Sequence, residues 1–476
     1  YAYNIIKAGL WRFILSFSRN AVHKIIVVGL FVVVSAFLFF VSFYIDPQAS
    51  IDASYYHIMA GQLEAGEGFT EPFIWHFLNH YQSIEHAMDY WLPLGIVMYY
   101  LARLTVGVSA EIWLNILLWS ALSIWVFRDV SAITRNRLSA FFAFMLMILN
   151  GRFLFYLLTT DNLVFYAFIG YAFFKSLSKD KSRWYCTAFL GGLAALLRIE
   201  GILIVVAGGL FEFFKTRKYR ILVGYFFVAG LVLLPWMLRN YSVFAHPWPS
   251  NSNALFLREY NDMFRRDLKL SSNNLFSLGA KTLMKQRLDG IWHAVLNFIA
   301  APGLMIMYPF WFMGLLKLWG SSGRYFSGLL FVLIGFCGVM SPLQTIKGSG
   351  LHASAFFFPY YALLAGTGLH FLWQYYSLRS RLWNLLPVLI ITWSALASFY
   401  STRSLVLEYD YNNLPYENLL RNVEFLNRKV VSVMPIKIFL ETARPGVVCS
   451  HVDPWEPYSL ADDYFCDAIV IDQRAE

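Results

Sequence analysis

Charge is what this chain has least of. Only 14% of its 476 residues are charged, whereas a soluble globular domain carries about 25%. That shortage excludes an ordinary water-facing surface. Cysteine is scarce too, with four in the whole chain, too few for a disulfide-dense secreted scaffold. Internal repeats are absent, which argues against the paired halves of many secondary transporters. Low-complexity tracts are absent as well. One shortage is local: residues 46–89 contain no Lys or Arg.

What is present is apolar. The chain is 58% hydrophobic and 19% aromatic, with a mean hydropathy of +0.52. Several runs reach the roughly 20 apolar residues that crossing a bilayer requires. The chain therefore reads as an all-α polytopic membrane protein. Its first run, 24–45, is too long for a secretory signal and has no small-residue cleavage site before Asp46. Eleven spans are expected: 24–45, one within 90–127, 138–152, 155–177, 184–197, 200–214, 221–238, 300–318, 325–343, 353–376 and 383–401. A second partition splits 90–127 into 91–106 and 111–127 and joins 184–214 into one helix; the sidedness beyond residue 215 is then unchanged.

The formal charge of +9 does not point to nucleic acid. The basic residues fall in short clusters between spans (Lys175, Lys179, Lys181 and Arg183; Lys215, Arg217, Lys218 and Arg220; Arg379 and Arg381), as in cytoplasmic loops. With residues 1–23 in the cytoplasm, the basic loops 128–137, 178–183, 215–220, 317–324 and 378–382 fall inside. Loops 46–89, 239–290 and 344–352 and the tail 402–476 fall outside. The tail carries short β-type runs at 430–433, 446–449 and 468–471, so a small exterior α/β domain is expected there. Cys449 and Cys466 lie in it and are a candidate disulfide if the exterior is oxidising; Cys186 and Cys337 fall in spans and read as buried thiols. Loop 239–290 is Asn/Ser/Arg-rich and reads as a mobile segment that orders on substrate.

The first exterior loop, 46–89, holds seven carboxylates and four histidines. Asp52 opens an amphipathic stretch, 50–65. Two readings apply to it: a helix N-cap, or a general base near the membrane surface. Asp46-Pro47 is a stop and turn or a second candidate carboxylate. His76 and His80 stand four apart, a metal-ligand spacing on a helix, but no third ligand is fixed by spacing and no metal is assigned. His86, Asp89 and Trp91 sit in an aromatic run typical of the membrane–water boundary. Asp161 interrupts the expected span 155–177, and Arg198 and Glu200 stand between two others. Ionisable groups in apolar spans are costly and point to function; the plainer readings are a structural bond for Asp161 and a mutual ion pair for Arg198 and Glu200. Arg198, Arg239, Lys347 and His352 fall toward the outer face, where cations suit phosphate oxygens.

These residues, in this order, resemble the GT-C glycosyltransferases, in the branch of protein O-mannosyltransferases and lipid A aminoarabinose transferases. The resemblance rests on Asp52-Ala53-Ser54-Tyr55-Tyr56-His57 after the first span, His86 with Trp91-Leu92-Pro93-Leu94, Arg198-Ile199-Glu200-Gly201, Pro235 to Asn240 before the long outer loop, and Phe356 to Gly368. It covers residues 24 to about 400. Many relatives carry two adjacent acids in the first motif; here Ala53 follows Asp52, so a divalent metal is allowed but not required.

The resemblance implies a GT-C membrane domain over 24–401 and a multi-pass protein of a prokaryotic plasma or inner membrane with its active site on the exterior, periplasmic face. It implies a polyprenyl-phosphate-linked sugar as donor, a glycan, lipid or protein hydroxyl as acceptor, and transfer with inversion. Asp52 would be the base, and Arg198, Arg239, Lys347 and His352 would hold the donor phosphate. Asp46, Tyr55, Tyr56, His57, His86, Asp89, Trp91, Asp161 and Glu200 would line the substrate site. Two other classes compete: a flippase for lipid-linked sugars, and a non-catalytic scaffold. A scaffold has little reason to keep Asp161, Arg198 and Glu200 in apolar surroundings.

Overall fold

A computed structural model describes residues 25–179, 183–268, 270–303, 307–377, 385–420, 429–432, 434–449, 456–464 and 466–470. The expected cytoplasmic segment 1–23 and basic loop 378–382 lie outside the described residues. The chain starts with α1 (Ile25–Ser42), α2 (Ile51–Ala65), a short hairpin of β1 (Thr70–Glu71) and β2 (His86–Ala87), and α3 (Pro93–Val106). Then come α4 (Ala110–Thr134), α5 (Arg137–Ile148), α6 (Gly151–Leu157), α7 (Leu163–Leu177), α8 (Trp184–Ala195), α9 (Gly201–Thr216) and α10 (Tyr219–Phe244).

Four described helices are long and apolar enough to cross a bilayer: α1, α4, α10 and the run Tyr308–Met340; α5 and α6 form a further pair bent by 62°. Several other expected crossings are shorter helices: α3, α7 and α8 have only 14, 15 and 12 residues. Both doubtful stretches hold two helices each, α3 with α4 and α8 with α9. The reason lies in the polar residues. The backbone breaks at Thr159–Asn162 and again around Arg198, where side chains from other elements satisfy the freed groups, as buried irregular backbone in a membrane protein requires.

The outer connection after α10 is folded. It contains two 3₁₀ turns, α11 (Ser272–Phe276) and α12 (Ala280–Val295). It docks on the first loop: Phe77 N–H donates to Met263 O at 2.7 Å, and Asn253 Nδ2 to Leu78 O at 3.0 Å. Next come α13 (Ala301–Gly303), α14 (Tyr308–Leu318), α15 (Arg324–Gly335), α16 (Pro342–Ile346), α17 (Ser349–Ser354) and α18 (Phe358–Ser377). Helix α18 is the centre of the bundle. A Cβ on Gly368 would lie 1.8 Å from Phe310 O, and one on Gly170 would lie 2.1 Å from Phe356 O. Glycine at these points lets α18 and the turn before it meet α14 and α7 backbone to backbone.

Helix α19 (Leu386–Leu420) runs past residue 401, so the expected start of the tail domain at 402 is helix. Beyond it lie β3 (Val430–Ser432), α20 (Pro435–Thr442), β4 (Gly446–Val448), α21 (Glu456–Asp463) and β5 (Ala468–Val470). The three strands fall on the three β-type runs and pair in parallel in the order β4-β3-β5. The sheet has a fourth member from the far end of the chain. Ile74 bridges Val447 in parallel, its N–H donating to Gly446 O at 2.9 Å and its O accepting from Val448 N–H at 2.7 Å. Lys437 of α20 donates to Gln48 O. No disulfide joins Cys449 and Cys466, against the one expected. They adjoin β4 and β5, which flank β3 on opposite sides; two strand spacings are about 9.5 Å, beyond disulfide reach.

Candidate active site

Helix α2 is capped by Ser50, whose Oγ accepts from Ala53 N–H at 3.1 Å. The cap is therefore not Asp52, and the carboxylate is free for another task. It sits half-buried on the first turn of α2. Among the described residues none donates a hydrogen bond to it. Asp46 is exposed and accepts from Gln48 N–H at 3.0 Å, a turn at the end of α1.

Three chain breaks converge on Asp52. The first lies between α6 and α7. Thr160 N–H donates to Pro47 O at 2.8 Å, and Thr160 Oγ1 to Ala53 O at 2.7 Å. That anchors Asp161, whose backbone O accepts from Tyr99 OH at 2.6 Å and whose Oδ1 accepts from Leu163 N–H at 3.1 Å. The second break separates α8 from α9. Asn162 Nδ2 donates to Tyr56 OH at 2.5 Å and to Leu197 O at 3.0 Å, tying α2 to the residue before Arg198. The third is α17. Arg198 Nη2 donates to Ser349 Oγ at 3.0 Å and pairs with Glu200 Oε1 at 3.2 Å, while Ser349 Oγ donates to Glu200 Oε1 at 3.1 Å. One turn on, His352 Nδ1 lies 3.2 Å from Asp161 Oδ2, an electrostatic contact without hydrogen-bond alignment.

Asp52, Asp161 and His352 thus offer ligand-type atoms within 4.8 Å of one another, and could gather a divalent cation. Burial lifts the Asp52 carboxyl above its usual range; His352 pulls it back, Asp161 lifts it and Arg198 lowers it, the net shift being upward. Burial opposes protonation of His352, but Asp161 and Asp52 outweigh it and raise the imidazole. Around the cluster stand tyrosines. Tyr156 OH bonds Tyr409 OH at 3.2 Å, and Tyr260 OH is pushed up to about 12 by burial and by Asp52. The exposed Lys347 holds its ammonium 5.4 Å from the Tyr260 ring centre.

This architecture has counterparts among solved structures. The crystal structure of ArnT from Cupriavidus metallidurans in the apo state matches with a TM-score of 0.53 at 11% identity, over 94% of this chain and 89% of that one. The structure of ArnT from the same organism bound to undecaprenyl phosphate matches with a TM-score of 0.54 at 11% identity, over 91% of this chain and 87% of that one. ArnT is a lipid A aminoarabinose transferase of GT-C fold. This chain has the GT-C fold. No family profile matches its sequence, and no curated protein does so.

Within the GT-C fold the sequence-derived candidates separate into groups. Asp52, Tyr56, Asp161, Arg198, Glu200 and His352 come together. His57 points elsewhere, with Nδ1 2.8 Å from Glu111 Oε2 and 3.0 Å from Arg103 Nη2. Arg239 braces the first loop, donating to Met88 O at 2.5 Å and Phe69 O at 3.1 Å with its guanidinium over Trp236. Tyr55, His86 and Asp89 join Glu71 in a second cluster beside Trp91, whose ring centre is 3.8 Å from that of Tyr55. His76 is buried and His80 exposed, in a segment that is not helical, so their spacing of four has no shared face.

Sequence reasoning missed Ser349, Thr160, Asn162, Tyr260 and Tyr409. The run Thr159-Thr160-Asp161-Asn162 inside apolar sequence was the signal for the first break. Nothing local marks Ser349 or Tyr409.

Proposed function

We propose that this protein is an integral-membrane glycosyltransferase that moves a monosaccharide from a polyprenyl-phosphate donor to a hydroxyl acceptor, with inversion and with Asp52 as general base. The observation that carries the reading is Asp52 itself: a carboxylate released from capping by Ser50, raised in basicity by its surroundings, and set beside Arg198 and His352. A base must be free to take a proton and match it in pKa.

The acceptor O–H gives its proton to the Asp52 carboxylate as its oxygen attacks the anomeric carbon. The bond from that carbon to the phosphate oxygen breaks on the opposite side, and its electron pair leaves with the lipid phosphate. Such a leaving group needs positive charge more than a proton. His352 and Arg198 supply it at the cluster, and Lys347 stands at the mouth. Arg239 is spent on the loop backbone, so its contribution is to brace the first loop. The lipid tail lies between helices, in an inner membrane, with the site opening on the exterior face.

The test is transfer of labelled sugar from a polyprenyl-phosphate donor by purified wild type and Asp52→Asn. Loss of transfer with unchanged folding supports the base. Full activity in the variant removes it. Lipid movement across vesicles without transfer would favour a flippase.

A further inference from the structure

The hairpin β1–β2 places Glu71 opposite His86, and Asp89 follows two residues beyond β2. Their ligand-type atoms lie within 4.8 Å of one another. Glu71 and Asp89 are 0% and 1% exposed, so neither carboxylate is solvated by water.

The wiring leaves one direction open. Tyr55 OH donates to Glu71 Oε1 at 2.6 Å, but Glu71 Oε2 is buried and receives no hydrogen bond among the described residues. It faces His86 Nε2 at 3.5 Å. The other ring nitrogen, Nδ1, lies 2.8 Å from Ile84 O. A carbonyl only accepts, so Nδ1 carries a proton, and in the neutral ring Nε2 is the nitrogen with a lone pair to offer a metal; this backbone-carbonyl lock is a usual second partner of a metal-bound histidine. Asp89 is held in place by Asn79 Nδ2 at 2.8 Å and Tyr81 OH at 3.0 Å. With a neutral imidazole the three groups carry two negative charges in a dry site. The nearby Arg239 does not cancel them by contact, since its guanidinium donates to Met88 O, Phe69 O and Asn240 Oδ1.

We propose that Glu71, His86 and Asp89 bind a divalent cation, zinc foremost, which fastens the first loop to α2 through Tyr55. Tetrahedral zinc with nitrogen and oxygen ligands at roughly 2.0–2.1 Å has ligand–ligand edges of about 3.4 Å, close to the Glu71–His86 separation. The set of two carboxylates and one imidazole suits zinc and, less tightly, manganese. The cation is a structural one. It sits behind Tyr55, in a group that shares no residue with the Asp52 cluster, and it is independent of the transferase reading.

The experiment uses the full-length protein in detergent, stripped with chelator and titrated with zinc chloride, with bound zinc counted by mass spectrometry and unfolding followed by heat. Wild type and Asp161→Asn are expected to take up one tight zinc per chain and to gain thermal stability. Glu71→Gln keeps the Tyr55 bond and should fold as wild type by size exclusion, yet bind zinc at least 100-fold more weakly; His86→Ala should bind none. Failure of wild type to take up a stoichiometric zinc would overturn the proposal. So would zinc retained in Glu71→Gln and lost in Asp161→Asn, which would assign the cation to the Asp52 cluster.

Discussion

The Glu71 cluster, built within the first loop, and the Asp52 cluster, which joins that loop to distant elements, have the same ingredients, two carboxylates and a histidine, and different wiring. In the Glu71 cluster Tyr55, Ile84, Asn79 and Tyr81 hold the side chains in place, and both carboxylates are sealed from water. In the Asp52 cluster the key carboxylate is half-buried, and among the described residues none donates a hydrogen bond to it. A carboxylate pinned by donors is suited to holding something still. One that is loosely solvated and raised in pKa is suited to taking a proton. Composition alone does not separate these roles; the count of donors around each oxygen does.

Substitutions can break or sharpen that contrast. The largest effect is expected for Asp52→Asn: turnover should fall by about 10²–10⁴-fold with an unchanged unfolding temperature, measured by sugar transfer and thermal melts side by side. Glu71→Gln should reverse the pattern, lowering the melting temperature of the zinc-loaded protein more than it lowers turnover. If both variants lose activity and stability alike, the contrast fails. Next is Thr160→Val, which deletes the hydroxyl bonds to Pro47 and Ala53 carbonyls. It should cost about 1–3 kcal/mol in chemical unfolding, since it strands buried acceptors.

A pH profile gives a finer test. Because Asp52 is raised above the ordinary carboxylate range, kcat/KM should fall on the acid side at a higher pH than a free carboxyl would give. His352 is the largest charge holding that carboxyl down. In His352→Gln the acid limb should therefore move to still higher pH; an unmoved limb would mean that His352 carries no charge at the working pH. The smallest effect is expected for Lys347→Ala. The ammonium is exposed, and exposed charge pairs are worth under about 1 kcal/mol, so KM for the donor should rise less than about fivefold, and less still at high salt.

Much of this was legible in the sequence, because hydropathy reports burial directly. The membrane class, the first span, the acidic loop and the three strands of the tail followed from residue type and order, and Asp52, Asp161 and Arg198, singled out there, lie in one cluster. What was not legible depends on distant partners. Asp52 as cap or base turned on the neighbour Ser50, which forms the cap. Arg239 read as a phosphate ligand because its own sequence says only that it is an interfacial cation; its carbonyl partners lie 151 and 170 residues away. The cysteine pair failed because strand order, not sequence position, sets their separation. Full-length crossings failed at the two breaks, where Thr160 and Asn162 supply bonds that hydropathy does not count.

The bond from Lys437 to the Gln48 carbonyl joins residues 389 positions apart, and Ile74 waits nearly as long for the strand it pairs with. At roughly 5–20 residues per second a ribosome takes about 20–80 s to close that distance. During that interval the loop bearing the proposed base is already across or at the membrane and still lacks its neighbouring strand. On the proposed function, transfer is expected only after residues 437–447 have been made and docked on this loop, and a chain terminated before them is expected to be inserted but inert.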